Sequence, residues 1–417
     1  MTKTIHPSYG TRSTRIMSND KDIQARVMSV GVAYFDNPES ESLTGGWYSI
    51  NGEEAKTFSD SATLNPQVLW ITNLNFSDYF QNRFGGTNHI KNSSYFRMAL
   101  KVIGQDIGVY DDTMIPEMVE KLSGVCYRTI RLVSESMPGL RLQGFSLYEA
   151  IYAWLGLDDI RMDSGAHYQR ELQSAFQEHS VVTARRRYSS ANDSEIVRFV
   201  PNRVSHAGTV LSYPIPAGNI RYLPGPMSVD DFIRLDNPGF AEIVVDNNSA
   251  VNPGLLAFGA QYTSTGIMRE WSAQPEVYFM REMGTKFTIS NVLTYTDQAK
   301  APQLPDRLTS NSLVCNSYSA GVLADNFLYA LLCKRRKPGK SGQSFFPSRS
   351  VYLRSVDRMI SYAMANVLSG KGVQVTSYGL GVINARVTEE ELEDSINIAA
   401  ECGFYMLSTA SGRFQRD

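Results

Sequence analysis

Hydrophobic residues occur along the chain in short runs of strand length and in longer stretches of helical periodicity. Short apolar runs bounded by polar or turn residues predict β-strands. They comprise residues 27–34, 67–72, 97–104, 196–200, 242–245, 276–280, 286–295 and 404–407. The stretch 372–387 predicts one strand or two, with a glycine bend at Gly379–Gly381.

Apolar residues at helical spacing, together with helix-start signals, predict the helices. Ser or Thr followed three residues later by Asp or Glu forms a capping box, and this pattern occurs at Ser146, Ser228 and Thr388. A further helix is expected from Thr113, with Pro116 in its first turn. The remaining predicted helices are residues 164–179, 317–333 and 351–369.

This succession of elements predicts an α+β fold with irregular sheets, long loops and a small β-α-β unit at the C-terminus. Pro- and Gly-rich turns between residues 181 and 315 suit long loops better than the short connections of a doubly wound enzyme. The expected regions are a loop-and-strand part (1–112), a helical part (113–180), a strand-and-loop part (181–315) and C-terminal helices with the small α+β unit (316–417).

Composition is that of a folded protein. The 417 residues are 42% hydrophobic and 20% charged, with a net charge of −2, so the whole chain is not a polycation. No apolar run reaches the ~18 residues of a membrane helix, and the first residues lack the apolar core of a secretory signal. We therefore expect no membrane partner and a cytoplasmic or virion location. The four cysteines are isolated, without a CxxC pair, which favours free thiols.

Catalytic and cofactor signatures are missing from the sequence. Neither GxSxG nor HExxH occurs, and Gly339-Lys340-Ser341 lacks the first glycine of a phosphate loop because position 334 is Lys. His167 and Glu171 lie four residues apart, but no third metal ligand accompanies them, so an ordinary polar face is the preferred interpretation. The expectation is no metal, no cofactor and no enzymatic activity. An enzyme that uses scattered carboxylates is the least favoured alternative.

Two basic clusters stand out from the neutral background. One is Arg185, Arg186 and Arg187; the other, Lys334–Arg358, holds eight Lys and Arg residues against one acidic residue, Asp357. Basic residues interleaved with aromatic ones can neutralise phosphates and stack on unpaired bases. The candidate contact residues of the second cluster are Lys334, Arg335, Arg336, Lys337, Lys340, Phe345, Phe346, Arg349 and Arg354. Nucleic-acid binding, docking on a neighbouring subunit and a solvated loop all remain open.

The main functional hypothesis from the sequence is a structural, self-assembling subunit of a viral or phage particle, similar to a capsid protein. It depends on the 22 Tyr, 19 Phe and 28 Arg residues, types that are enriched at interfaces, and on the long loops. The expected partners are further copies of the chain, forming a homo-oligomer, and RNA or single-stranded DNA. The alternative hypothesis is a nucleic-acid-binding subunit of a ribonucleoprotein filament or effector complex.

Overall fold

The computed structural model describes residues 29–37, 45–65, 67–73, 114–140, 151–152, 154–176, 194–246, 267–310 and 347–409. Within these ranges the chain forms helices and three separate sheets. The predicted α+β class is confirmed. No helix in these ranges is both long and apolar enough to cross a membrane.

The elements are numbered in chain order. The strands are β1 (Val30–Phe35), β2 (Gly46–Ile50), β3 (Lys56–Phe58), β4 (Leu69–Thr72), β5 (Ser194–Pro201), β6 (Pro214–Met227), β7 (Gly239–Asp246), β8 (Ile267–Ala273), β9 (Phe287–Lys300), β10 (Gln374–Gly379), β11 (Val382–Thr388) and β12 (Phe404–Thr409). The helices are α1 (Ile115–Ser136), α2 (Gln169–Phe176), α3 (Arg203–Leu211), α4 (Val229–Ile233), α5 (Gln274–Glu282), α6 (Asp306–Thr309), α7 (Ser348–Gly370) and α8 (Leu392–Glu401).

The first sheet has the strand order β3-β2-β1-β4, with β1 and β4 parallel. Strand side chains point alternately to the two faces, so each face has its own hydrophobic core. Val30 and Val32 belong to the large core that includes helix α1. Phe35, Phe58 and Trp70 form a smaller core with their neighbours, where Phe35 and Phe58 meet edge to face at 5.0 Å.

The second sheet has the order β10-β11-β5-β12 and contains the predicted C-terminal β-α-β unit. Strands β11 and β12 both pair antiparallel with β5, so they run parallel to each other and α8 connects them. The capping box before α8 is present, because Glu391 N donates to Thr388 Oγ1 and Thr388 N donates to Glu391 Oε2. These two hydrogen bonds close the turn that directly precedes α8, whose first residue is Leu392.

The third sheet has the order β6-β9-β7-β8, and helix α7 packs against one of its faces. The ring of Tyr352 on α7 meets Phe240 on β7 edge to face at 5.8 Å. Strand β6 lies at one edge and pairs with β9 from Pro214 to Met227, with two irregularities. The longest described helix is thereby fixed to the sheet through its first two turns.

The strand predicted at residues 276–280 is wrong, because these residues belong to helix α5. Pro275 is the second residue of α5, and the Glu276 side chain accepts a hydrogen bond from Ala273 N. Both features are typical of a helix start. Strand β6 and helix α3 are absent from the predicted elements. For β6 the reason is that its sequence contains four prolines. The predicted strand 97–104, the capping box at Ser146 and the predicted helix 317–333 lie outside the described residues.

Candidate nucleic-acid interface

The end of the basic segment Lys334–Arg358 forms the first half of helix α7. Residues 334–346 lie outside the described residues, as do Arg185, Arg186 and Arg187. The candidates Lys334, Arg335, Arg336, Lys337, Lys340, Phe345 and Phe346 therefore have no described geometry. Arg349 and Arg354 are described, and both are buried, with 6% and 2% of their surface exposed.

The two described candidate arginines contact the protein interior. Arg349 Nη2 donates to the carbonyl oxygen of Ile160 at 3.2 Å. The Arg354 guanidinium lies over the ring of Phe176, 4.8 Å from its centre, which is a cation–π contact. In this conformation these two side chains hold α7 against α2 and the loop before it, and they are not displayed to solvent.

A third arginine of the segment makes a buried ion pair. Arg358 Nη2 lies 2.6 Å from Glu276 Oε1, and both side chains are almost fully buried. The same guanidinium donates to the carbonyl oxygen of Ala175 at 2.8 Å and to Ser355 Oγ at 3.1 Å. Burial raises the pKa of Glu276, while the charge of Arg358 and its hydrogen bond oppose that rise. One guanidinium thus joins α7 to α2 and α5.

The segment's acidic residue, Asp357, is buried beside Arg358 and faces another part of the fold. Asp357 Oδ1 lies 2.7 Å from His206 Nε2 of helix α3. Its carboxylate also accepts the backbone N–H groups of Leu380 (2.6 Å) and Gly381 (3.1 Å) in the β10–β11 turn. Burial alone would raise the pKa of Asp357, but the contact with His206, the charge of Arg354 and the Leu380 N–H lower it below its ordinary value.

The start of α7 lies beside the edge strand β6. Gly165 has a positive φ of 67°, and a methyl group added to it would meet Ser348 Oγ at 2.7 Å and Ile220 Cδ1 at 3.2 Å, as well as Leu172. Ser348, the first residue of α7, and Ile220 of β6 therefore pack around the same point. The chain that carries Lys334 to Phe346 enters the described fold at this place.

Most described aromatic residues lie in a hydrophobic core or pack against one. The large hydrophobic side chains that stand exposed in the described ranges are Tyr222, Tyr278 and Val367. Within the described ranges, Tyr and Phe side chains therefore serve mainly internal packing.

The described ranges contain no metal-binding cluster and no disulfide bond. There, no three His, Cys, Asp or Glu side chains come together as metal ligands would. His167 lies in a 3₁₀ turn, Ala166–Tyr168, while Glu171 lies in α2. Cys126 and Cys402 are free thiols, and Cys126 is buried.

Sequence reasoning did not identify three of the residues that make these contacts. Glu276 was assigned to a strand, and neither His206 nor Gly381 was considered as a partner of α7. The apolar residues of 351–365 are interspersed with Arg354, Asp357 and Arg358, so their pattern indicates an amphipathic helix and not the burial of its charged residues. The pairing of the charges depends on long-range contacts that no local pattern contains.

No protein-family model matches the chain, and no curated protein matches it. It is similar to solved structures of phi29 DNA polymerase. The complex with primer-template DNA and incoming nucleotides matches at a TM-score of 0.47 and 10% identity, covering 86% of this chain and 80% of that chain. The post-translocation binary complex matches at 0.47 and 11%, covering 89% and 81%. The complex with single-stranded DNA matches at 0.38 and 11%, covering 70% and 58%.

These findings correct two predictions from the sequence. The prediction of a capsid-like virion subunit is wrong, because the matched structures named here are those of a DNA polymerase and none is a capsid protein. The same finding counts against the prediction that the chain is not an enzyme, because the matched structures are those of a polymerase. At TM-scores below 0.5 the similarity assigns neither a family nor an activity to this chain.

Proposed function

We propose that this chain binds nucleic acid and that the basic stretch Lys334–Lys340 contacts the phosphate backbone. Five Lys and Arg residues, and no acidic residue, occupy positions 334–346. Lys and Arg side chains at such density neutralise phosphates and release condensed counterions. This function is the alternative hypothesis of the sequence analysis.

The observation that carries the proposal is the division of the basic segment into two parts. Arg349, Arg354 and Arg358 are buried and make contacts within the fold. Buried arginines with internal partners are expected to contribute little to phosphate binding, so the proposal assigns that role to Lys334, Arg335, Arg336, Lys337 and Lys340. Helix α7 serves as the anchor, because its buried contacts fix the point from which the basic stretch departs.

The test is the salt dependence of binding to a labelled single-stranded oligonucleotide. Log affinity falls with log salt by ~0.7 per phosphate contact on a single strand, so four contacts give a slope of about −3. Replacing Lys334, Arg335, Arg336 and Lys337 together by Ser should flatten this slope and weaken all sequences alike, because phosphate contacts carry no sequence information.

A matched control removes the same charge elsewhere. Lys121, Arg131, Arg307 and Lys371 are exposed and form surface ion pairs. Their joint replacement by Ser lowers the net charge equally and should leave the slope close to that of the parent. Equal slopes for the parent and the 334–337 variant would refute the proposal.

Self-association is a separate prediction. The alternative hypothesis places the chain in a filament or effector complex, so the proposed partner that drives assembly is nucleic acid. Light scattering should then detect assemblies larger than a monomer when single-stranded RNA or DNA is added. A homo-oligomer that forms in the absence of nucleic acid would contradict this prediction, because the chain's own surfaces would then be sufficient for assembly.

A further inference from the structure

Two tyrosines, Tyr222 and Tyr278, are exposed to almost the same extent, at 46% and 45%. Their surroundings differ. Tyr278 lies on helix α5, and the guanidinium of Arg281 lies 5.3 Å from the centre of its ring. Arg281 is itself held by Asp230 at 2.6 Å and by Glu282 at 2.8 Å. One face of the Tyr278 ring is therefore already occupied by a cation with two acidic partners.

Tyr222 lies on the edge strand β6 and is held in place through its hydroxyl. Tyr222 Oη donates to Asn291 Oδ1 at 2.7 Å, and Asn291 Nδ2 donates to Glu242 Oε2 at 2.5 Å. Ser290 Oγ donates to the same carboxylate oxygen at 2.8 Å. Because the hydroxyl is engaged in this network, the part of Tyr222 that can contact a ligand is the flat face of its ring.

The position of Tyr222 relates it to the basic stretch. In strand β6, Tyr222 follows Ile220 by two residues, so both side chains point to the same face of the sheet. Ile220 packs beside Ser348, the residue at which the basic segment enters α7. The eight residues from Lys340 to Ser348 span at most about 28 Å when extended. A strand whose phosphates meet the basic stretch can therefore reach the ring of Tyr222.

The neighbouring residue on β6 supplies a positive charge. Arg221 is exposed, and the structure gives it no ion pair within the described residues. Adjacent side chains of a strand point to opposite faces, so Arg221 adds positive charge to this edge of the sheet without sharing the face of Tyr222. The adjoining Pro224 and Pro226 lack N–H donors, so a further β-strand is a poor occupant of this edge.

We propose that Tyr222 is a stacking platform for an unpaired base of a single-stranded nucleic acid. This inference rests on the proposed function and adds the residue on which a base is recognised. Double-stranded nucleic acid does not fit the role, because its bases are stacked on each other and offer no free face to the ring.

The experiment measures the affinity of the full-length chain for a fluorescein-labelled 20-nucleotide oligo(dT) and for a 20-base-pair duplex by fluorescence anisotropy. Tyr222→Ala should weaken single-strand binding by roughly 5- to 100-fold and leave duplex binding within twofold of the parent. Tyr278→Ala removes an equally exposed ring and should leave both affinities unchanged. Tyr222→Phe keeps the ring and should retain most of the single-strand affinity.

The controls separate the two proposals. Circular dichroism melting of each variant verifies folding, and Tyr222→Leu, which keeps apolar bulk at the edge, should bind as weakly as Tyr222→Ala. The stacking inference is wrong if Tyr222→Ala and Tyr278→Ala weaken binding equally, or if neither weakens it. The proposed function still stands in these cases, provided that the 334–337 variant flattens the salt slope. If the 334–337 variant leaves the slope unchanged, the proposed function is wrong.

Discussion

Two adjacent residues of helix α7 make buried ionic contacts of different kinds. Arg358 pairs with the carboxylate of Glu276, and this ion pair joins helix α7 to helix α5. The carboxylate of Asp357 contacts the imidazole of His206 and accepts two backbone N–H groups of the β10–β11 turn. The first contact joins helices, and the second fixes a turn. Helix α7 is therefore held on one side by an ion pair between side chains and on the other by a carboxylate that binds backbone N–H groups.

The largest expected effect comes from removing one partner of the ion pair between Arg358 and Glu276. Arg358→Met leaves the buried carboxylate of Glu276 without its cation and should cost about 3–5 kcal/mol in the free energy of unfolding. The double variant Glu276→Leu/Arg358→Met removes both charges and should recover most of that loss. Urea denaturation of the two variants measures this, and a double variant no more stable than the single one would contradict the explanation.

A smaller effect is expected from substitution of Asp357. Asp357→Asn keeps the shape of the side chain but replaces one acceptor oxygen with an N–H₂ group that faces other donors. We expect a loss of roughly 2–3 kcal/mol, because hydrogen bonds to a charged acceptor disappear. Hydrogen exchange should localise the change to the amides of Leu380 and Gly381. Unchanged protection of these two amides would mean that Asp357 does not fix the turn.

The smallest effect is the pH dependence of the same contact. The pKa of Asp357 is below its ordinary value of 3.8 in the folded chain, so its contribution is complete above that value and is lost as the pH falls through the folded pKa. The difference in unfolding free energy between the parent and Asp357→Asn should therefore shrink on acidification below pH ~4, by at most about 1.4 kcal/mol per pH unit. A difference that stays constant from pH 5 to pH 2.5 would count against this. The raised pKa of Glu276 has the opposite sign, because its contribution is lost as the pH rises.

Local signals in the sequence identify several elements correctly. The capping box at Ser228 begins helix α4, and the one at Thr388 closes the turn directly before α8. Each pattern depends on residues only three positions apart. Strand β9 and helix α7 follow from apolar patterns long enough to have a clear period. The α+β class and many of the helices and strands can thus be predicted from short-range sequence patterns.

The errors occur where long-range contacts decide. The run 276–280 contains a glutamate that is stable in the core only because Arg358 lies opposite it, 82 residues later in the chain. Strand β6 contains four prolines and is recognisable mainly through its pairing with β9. For the candidate site, the sequence distinguishes basic from neutral segments, but it does not separate Arg349 and Arg354, which are buried, from the other candidates.

The contacts of α7 also have a consequence for the order in which the protein folds. The partners of Arg349, Asp357 and Arg358 in helices α2, α3 and α5 and in the loop before α2 precede them by as many as 189 residues. During synthesis the carboxylate of Glu276 and the imidazole of His206 are complete long before their partners leave the ribosome. Contacts of such long sequence separation slow folding, because a large loop must close before they form. Chains truncated before residue 348 should therefore stay incompletely packed and be sensitive to proteases.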